Sequence, residues 1–256
     1  MRILISNDDG IDAPGIKALA NALKEMGEVV VCAPATQQSA RGSSMTFRDR
    51  LKVDEVAFLE GIKAYAVHGT PRDAVNVGLL GILKKDVDLV VTGINEGANL
   101  CNDAVCSGTI GAATAAYNVG ICAMATSIDY GDEYDYASAG RIVRDLAEWF
   151  INQPFCHDFV LNVNIPNGIP IKGTVVADTG GRHNYHGGFE KVVEEDGTYW
   201  QAVYPLSGMT IDDLIEDLDH DIYALKKGYV VLNPVSDDLV KKSSIPLLRE
   251  KWEERK

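Results

Sequence analysis

Short apolar segments that suit buried strands alternate with helical segments along the first two-thirds of the chain. The predicted strands cover 2–6, 28–32, 64–67, 88–92, 121–126 and 159–164. The predicted helices begin near Pro14, Thr70, Gly108 and residue 135. Parallel strands need long crossovers, which a helix usually provides, and those crossovers are right-handed. The alternation therefore predicts an α/β fold with a doubly wound, mostly parallel sheet.

The pattern changes after residue 170. Paired glycines and a later run of alternating residues predict an antiparallel β-hairpin region over 171–205 that projects from the core. A strand at 229–232 is expected to return to the sheet or to pack beside it. The charged segment 236–256 predicts a helical arm, either docked on a neighbouring subunit or flexible. We therefore predict one domain over 1–256, with a core over 1–170, an accessory hairpin region over 171–227, and a returning strand with a C-terminal arm over 228–256.

Charge and cysteine usage restrict the partners and the compartment. The 256 residues carry a net charge of −13, which argues against binding a nucleic-acid backbone but not against binding a small phosphate ester. No apolar run approaches the ~20 residues that span a bilayer, so no membrane partner is expected. The five cysteines are scattered without a C-x-x-C spacing, which favours reduced thiols. We therefore expect a cytoplasmic protein.

Two adjacent aspartates, Asp8 and Asp9, follow the first predicted strand, and Gly10 supplies the turn. Neighbouring side chains of a strand point to opposite faces, so these carboxylates can converge only where the chain leaves the sheet. Ligands of open α/β sheets bind at this end of the strands. Two packed carboxylates repel each other unless a cation or a shared proton lies between them. A single aspartate would suit a helix cap, whereas the pair favours a hard divalent metal.

Further polar loops are expected at the same edge of the sheet. One contains Gln37, Gln38, Ser39, Ser43 and Ser44, and another covers 92–100 and runs on to 107–109. Magnesium prefers oxygen ligands, and a helix beginning at 107–109 would offer N–H groups to an anion. The alternative for Asn95 and Asn99 is turn chemistry, and the alternative for Ser107 is an ordinary N-cap. The convergence of these loops favours a binding site.

These residues fall into motifs that resemble the survival protein E (SurE) family of nucleotide phosphatases, in the family's order from residue 1 to about 166. The motifs are Asn7-Asp8-Asp9-Gly10, Ala13-Pro14-Gly15-Ile16, Ala33-Pro34 through Gln38-Ser39, Gly69-Thr70-Pro71 with Asp73, Gly93-Ile94-Asn95-Glu96-Gly97 with Asn99-Leu100, Ser107-Gly108-Thr109, and Leu161-Asn162-Val163-Asn164-Ile165-Pro166.

The resemblance implies a Rossmann-like core with a projecting hairpin, in a homodimer or homotetramer with an exchanged C-terminal segment. It implies a divalent-metal-dependent phosphomonoesterase, of the 5′-nucleotidase or acid phosphatase type, acting on nucleoside 5′- and 3′-monophosphates. The expected cofactor is one Mg²⁺ or Mn²⁺ per subunit. The family's metal ligands map onto Asp8, Asp9, Ser39 and Asn95, of which Asp8 and Asp9 are also the catalytic candidates. Its phosphate-binding residues map onto Asn99, Ser107, Gly108 and Thr109.

The chain departs from the family pattern at four places. Ala40 replaces a glycine, Cys106 replaces a tyrosine, Asn233-Pro234-Val235 replaces Thr-Pro-Leu, and His220-Asp221 replaces Thr-Asp.

Two other enzyme classes carry a different motif after the first strand. A haloacid-dehalogenase-type phosphatase would carry Asp-x-Asp, and a dinucleotide-dependent oxidoreductase would carry Gly-x-Gly-x-x-Gly after the first strand. The chain has neither motif at that position. A nucleotide sensor that binds without turnover is the alternative. The nucleophile is either an activated water or the carboxylate of Asp8 or Asp9, which would attack directly.

Overall fold

The computed structural model describes residues 1–184, 189–194, 196–202, 210–212, 214–236 and 245–253. The strands are β1 Arg2–Ser6, β2 Glu28–Pro34, β3 Val53–Val56, β4 Lys63–Val67, β5 Leu89–Glu96, β6 Cys122–Ile128, β7 Val160–Ile165, β8 Gly173–Val176, β9 Arg182–Asn184, β10 Phe189–Glu194, β11 Gly197–Ala202, β12 Thr210–Asp212 and β13 Tyr229–Val235. The helices are α1 Pro14–Leu23, α2 Pro71–Asn76, α3 Asp103–Cys106, α4 Gly108–Tyr117, α5 Tyr136–Ile151, α6 Asp221–Lys226 and α7 Ile245–Glu253, and a π-helical segment, Val77–Ile82, continues α2.

A nine-stranded sheet forms the centre of the described part of the chain, in the order β3-β4-β2-β1-β5-β6-β7-β13-β8. The strands from β4 to β7 in that order are parallel, β3 is antiparallel at one edge, and β13 is antiparallel to β7. Helices α1 and α5 pack together on one face, and α2 and α4 pack together on the other. The predicted doubly wound, mostly parallel α/β fold is confirmed.

Local sequence signals account for the helix starts. Pro14 occupies the first turn of α1, where its missing N–H costs no hydrogen bond. At α2, the Thr70 hydroxyl accepts a hydrogen bond from the Asp73 N–H at 3.1 Å, and the Asp73 carboxylate accepts one from the Thr70 N–H at 3.0 Å. This reciprocal cap fixes the helix where the Thr-Pro pair predicted it.

The loop predicted from residue 93 is shorter than expected, because β5 continues through Glu96 and α3 interrupts the rest. The pairing of β5 with β6 shifts register between Thr92 and Asn95, so the strand changes direction there. This irregular end of β5 brings Asn95 and Glu96 to the edge of the sheet that carries Asp8.

The region after residue 170 is partly as predicted. An antiparallel hairpin forms from β10 and β11, and β9 pairs with β12. The hairpin prediction is wrong for β8, which lies in the main sheet parallel to β13. Without β8, one side of β13 would expose unpaired backbone N–H and C=O groups at the edge of the main sheet. Pairing with β8 satisfies these groups.

The predicted return of a strand to the sheet is confirmed by β13, and part of the expected arm is the helix α7. The other parts of those predictions, at 187–188, 203–204, 237–244 and 254–256, lie outside the described residues. The division of the chain at 170 and 227 stays a prediction. Within the described residues, no helix has the length and apolarity to cross a membrane.

Candidate active site

The turn after β1 presents the two adjacent carboxylates at the edge of the sheet. The buried Asn7 side chain closes this turn, because its amide donates to the Gly10 carbonyl at 2.8 Å and its oxygen accepts from the Gly10 N–H at 3.2 Å. Gly10 has φ +100°, a conformation that a residue with a Cβ adopts only with strain. Asn7 and Gly10 therefore turn Asp8 and Asp9 out of the sheet together.

The buried side chain of Asp8 faces the start of α4. Its Oδ1 accepts a hydrogen bond from the Thr109 hydroxyl at 2.6 Å. The backbone of Gly108 lies so close that a Cβ there would be 2.7 Å from both Cβ and Oδ2 of Asp8. The Ser107 hydroxyl accepts from the Ile110 N–H at 3.1 Å, so Ser107 is the N-cap of α4. The positive end of the α4 dipole therefore adjoins the carboxylate pair.

The pKa of both aspartates is raised, by burial at Asp8 and by burial with neighbouring negative charges at Asp9. Burial raises the pKa of Asp8, and hydrogen bonds, chiefly from Thr109, offset part of this increase. The pKa of Asp9 is raised to about 7, first by burial, then by the charges of Asp8 and Glu96. A backbone hydrogen bond from Glu96 lowers it only in part. Without a cation, the pair therefore retains a proton at a pH where isolated carboxylates are ionised.

We expect this pair to make the metal-free protein less stable as the pH rises. Because the folded-state pKa of Asp9 lies near 7 and the unfolded value near 3.8, ionisation costs folding free energy across that interval. Between pH 5 and pH 8, the free energy of unfolding should fall by on the order of 2 kcal/mol more in the wild type than in Asp9→Asn. Urea unfolding of both proteins in chelator at each pH measures the difference. In the control Asp12→Asn, at an exposed position, the free energy of unfolding should depend on pH as in the wild type. The same pH dependence in Asp9→Asn as in the wild type would contradict the burial of the Asp9 charge.

The predicted ligand Ser39 lies on the loop after β2, next to β1 in the sheet. This loop is fastened to the site by two backbone hydrogen bonds, from the Gln38 N–H to the Asp8 carbonyl at 2.7 Å and from the Gly42 N–H to the Cys106 carbonyl at 3.0 Å. Ser39 itself is exposed, and its hydroxyl accepts from the Gln37 side chain at 3.3 Å. Its hydroxyl is therefore at the edge of the site.

The predicted ligand Asn95 lies at the end of β5, the other neighbour of β1. It is half-buried, and its Nδ2 donates to the Gly97 carbonyl at 2.7 Å. This hydrogen bond is the turn interaction given above as the alternative for Asn95, and it uses only the amide nitrogen. The amide oxygen stays a metal-ligand candidate.

Asn99 is held by a buried network of amide side chains. Its N–H donates to Asn164 Oδ1 at 2.7 Å, its Nδ2 donates to the Ser127 hydroxyl at 2.9 Å, and its carbonyl accepts from Asn162 Nδ2 at 2.9 Å. Asn162 and Asn164 alternate with apolar residues along β7, so they share the face towards Asn99. The two asparagines of β7 therefore fix the backbone of Asn99 beside the end of the sheet, and Ser127 orients its side chain.

Asp221 holds the next turn of the same loop. Its Oδ2 accepts from the Cys101 N–H at 3.0 Å, and its Oδ1 accepts from the Gly180 N–H at 2.9 Å and the Ile222 N–H at 2.8 Å. Cys101 has φ +49°, so this contact stabilises a backbone conformation that non-glycine residues rarely adopt.

The turn after β1, which carries Asp8 and Asp9, therefore lies against the start of α4 at Gly108 and Thr109. Ser107 caps that helix. Ser39, Asn95 and Asn99 lie on neighbouring loops at the same edge. Among the described residues, no group of three or more His, Cys, Asp and Glu side chains could hold a metal ion. A metal here would therefore depend on two carboxylates with neutral oxygen ligands. The metal-binding and phosphate-binding roles of these eight residues stay predictions.

Sequence reasoning missed the supporting roles of Asn162, Asn164 and Asp221. A signal was present at Asn162 and Asn164, because buried polar side chains in a strand require hydrogen-bond partners. It also missed Glu96, whose carboxylate accepts from the Tyr136 hydroxyl at 2.6 Å while its charge acts on Asp9.

Comparisons with known proteins show the family to which this chain is similar. The family model described as "Survival protein SurE" matches residues 3–186. The chain is 40% identical over 242 residues to "5'-nucleotidase SurE" of Pelotomaculum thermopropionicum, covering 93% of this chain and 90% of the relative. It is 38% identical over 260 residues to "5'-nucleotidase SurE" of Geotalea daltonii, covering 99% of each chain.

A solved structure is similar over nearly the whole length. The crystal structure of the SurE protein from Aquifex aeolicus matches with a TM-score of 0.79 and 30% identity, covering 98% of this chain and 100% of that one. By family model, by relatives and by structure, the chain belongs to the SurE family.

Proposed function

We propose that this protein is a phosphomonoesterase that hydrolyses nucleoside 5′- and 3′-monophosphates to nucleoside and phosphate. The observation that carries the proposal is the carboxylate pair of Asp8 and Asp9 at the start of α4, with its raised pKa values. The relatives named 5′-nucleotidase support it, because the chain matches them over most of its length.

The residues present fit a divalent cation, for which we propose one Mg²⁺ or Mn²⁺ per subunit. All the candidate ligands offer oxygen, which suits these hard ions: the carboxylates of Asp8 and Asp9, the Ser39 hydroxyl and the Asn95 amide oxygen. A positive charge between the carboxylates would also remove the repulsion that, after burial, contributes to the raised pKa of Asp9. When bound, such a cation supplies a Lewis acid for a phosphoryl oxygen and lowers the pKa of water.

The chain's own residues would bind and orient the phosphoryl group. At the start of α4, the Gly108 N–H and the Ser107 hydroxyl would donate to its oxygens, aided by the helix dipole. The Ser107 N–H itself is already bonded to the Asp103 carbonyl at 2.9 Å. The Asn99 amide has a second N–H besides the one bonded to Ser127, and it would donate to the same group. Because the Asn162 and Asn164 amides hold Asn99 in place, this donor is oriented before the substrate binds.

Two roles for the aspartates are compatible with this geometry. Either carboxylate would accept the proton of an attacking water. Alternatively, Asp8 or Asp9 attacks phosphorus directly and forms an aspartyl-phosphate.

The experiment that tests the proposed function is phosphate release from a panel of esters. The panel contains 5′- and 3′-nucleoside monophosphates of each base, ATP, and a phosphodiester as negative control. We expect release from the monophosphates and none from the diester. Stoichiometric binding of a monophosphate without phosphate release would support the sensor alternative instead and contradict hydrolysis.

We also propose a cytoplasmic homodimer or homotetramer in which the C-terminal arm containing α7 is exchanged between subunits. The exposed helix residue Trp252 belongs to that arm. Light scattering of the full chain and of a chain ending at residue 236 tests this, because loss of the oligomer on truncation is the expected result. An unchanged mass per particle after truncation would contradict the exchange.

A further inference from the structure

A second cavity, of about 380 Å³, lies beside Asn99 between β13 and the loops that flank it. Its wall includes Asn99 and Ala104 on the side of the candidate active site, and Asn162 and Asn233 on the sheet. The volume is within the range of small-molecule pockets. Because Asn99 lines the cavity and is also a phosphate-binding candidate, the cavity adjoins the proposed phosphate site.

The floor of the cavity carries two amide oxygens that have no hydrogen-bond partner in the described part of the chain. Asn162 and Asn233 lie opposite each other in the β7–β13 pair, so their side chains share one face of the sheet. Both side chains are buried, at 2% and 9% exposure. Their nitrogens donate to the carbonyls of Asn99 and Ala177, which leaves both Oδ1 atoms free of hydrogen bonds from the described residues. Buried acceptors of this kind require a donor.

The remaining lining restricts the ligand. None of the described lining residues is Lys, Arg or His, so an anion has no countercharge here. The carboxylate of Asp221 is already satisfied by three backbone N–H groups, which disfavours a cation. The lining therefore suits a neutral molecule that is rich in hydrogen-bond donors.

We propose that this cavity binds the sugar of the substrate nucleotide, and that the amide oxygens of Asn162 and Asn233 accept hydrogen bonds from its hydroxyl groups. The inference rests on the proposed function, since it concerns the same substrate. The sugar is the part of a 5′-nucleotide next to the phosphate, and Asn162 is the residue that contacts Asn99 from inside the cavity.

The test compares KM values for three esters with the metal-loaded full chain. The esters are AMP, 2′,3′-dideoxyadenosine 5′-monophosphate, which lacks both sugar hydroxyls, and p-nitrophenyl phosphate, which lacks the nucleoside. We expect the wild type to have a five- to tenfold lower KM for AMP than for the dideoxy compound, about the effect of one neutral hydrogen bond. In Asn233→Ala, which keeps the Asn162 acceptor, that ratio should fall to about two- to threefold.

A second pair of variants tests whether the nucleoside part of the substrate occupies the cavity. Ala104→Leu fills the cavity from α3, and we expect it to raise the KM for AMP at least fivefold more than the KM for p-nitrophenyl phosphate. Val105→Leu is the matched control, since Val105 is the next residue and is 71% exposed. It should leave all three KM values within twofold. Thermal unfolding of each variant checks that it is folded.

Equal KM values for AMP and the dideoxy compound in the wild type would overturn the inference, as would Ala104→Leu shifting all three esters alike. Failure of the proposed function has a different signature, in which the wild type hydrolyses none of the three esters.

Discussion

Replacing Asp8 by alanine is expected to lower kcat/KM for nucleoside monophosphates by about three orders of magnitude, or about 4 kcal/mol of transition-state stabilisation. The variant removes one of the two carboxylates available to a cation and the acceptor of the Thr109 hydroxyl. Folding should survive, because the buried carboxylate is itself unfavourable in the metal-free protein. Steady-state phosphate release and thermal unfolding measure the two quantities.

Asp12→Ala is the control for this experiment. Asp12 lies in the same segment, but its side chain is 92% exposed. Its removal should change kcat/KM by less than twofold and the unfolding temperature only slightly. Asp8→Ala with wild-type turnover would disprove the assignment of Asp8 to the site.

Gly108→Ala is expected to lower kcat/KM by about a hundredfold, or about 3 kcal/mol. A methyl group there would lie 2.7 Å from Cβ and Oδ2 of Asp8, so the carboxylate or the start of α4 must move. The backbone of Gly108 has no positive φ, and alanine is otherwise the better helix residue. The loss would therefore come from the displaced contact with Asp8. Kinetics and a metal titration by calorimetry measure the change.

Gly81→Ala is the matched control, because a Cβ at Gly81 would meet nothing within 4 Å. This variant should keep wild-type kinetics. Gly108→Ala with kcat/KM within threefold of the wild type would show that the close approach of α4 to Asp8 has no functional role.

The order of strands and helices was predictable from local patterns. Buried strands such as β1 and β2 are short apolar runs, and the helix starts carry proline or a capping threonine. The placement of Asp8 and Asp9 followed from the strand ending at Ser6 and the turn at Gly10. These features depend on neighbours in sequence, which is why the sequence reveals them.

Long-range pairings were harder to predict. The position of β8 depends on the open edge left by β13, more than fifty residues later, and no local pattern encodes it. The role of Asp221 depends on Cys101, a residue 120 positions away. The close contact of Gly108 with Asp8 likewise appears only when α4 packs at the end of β1.

The most direct test of the central claim is phosphate release from AMP by the chelated protein as Mg²⁺ or Mn²⁺ is added back. We expect no release in chelator, recovery that saturates at one ion per subunit, and no recovery by Asp8→Ala. Undiminished release in chelator, or saturation with metal and AMP without any phosphate, would contradict a metal-dependent phosphomonoesterase.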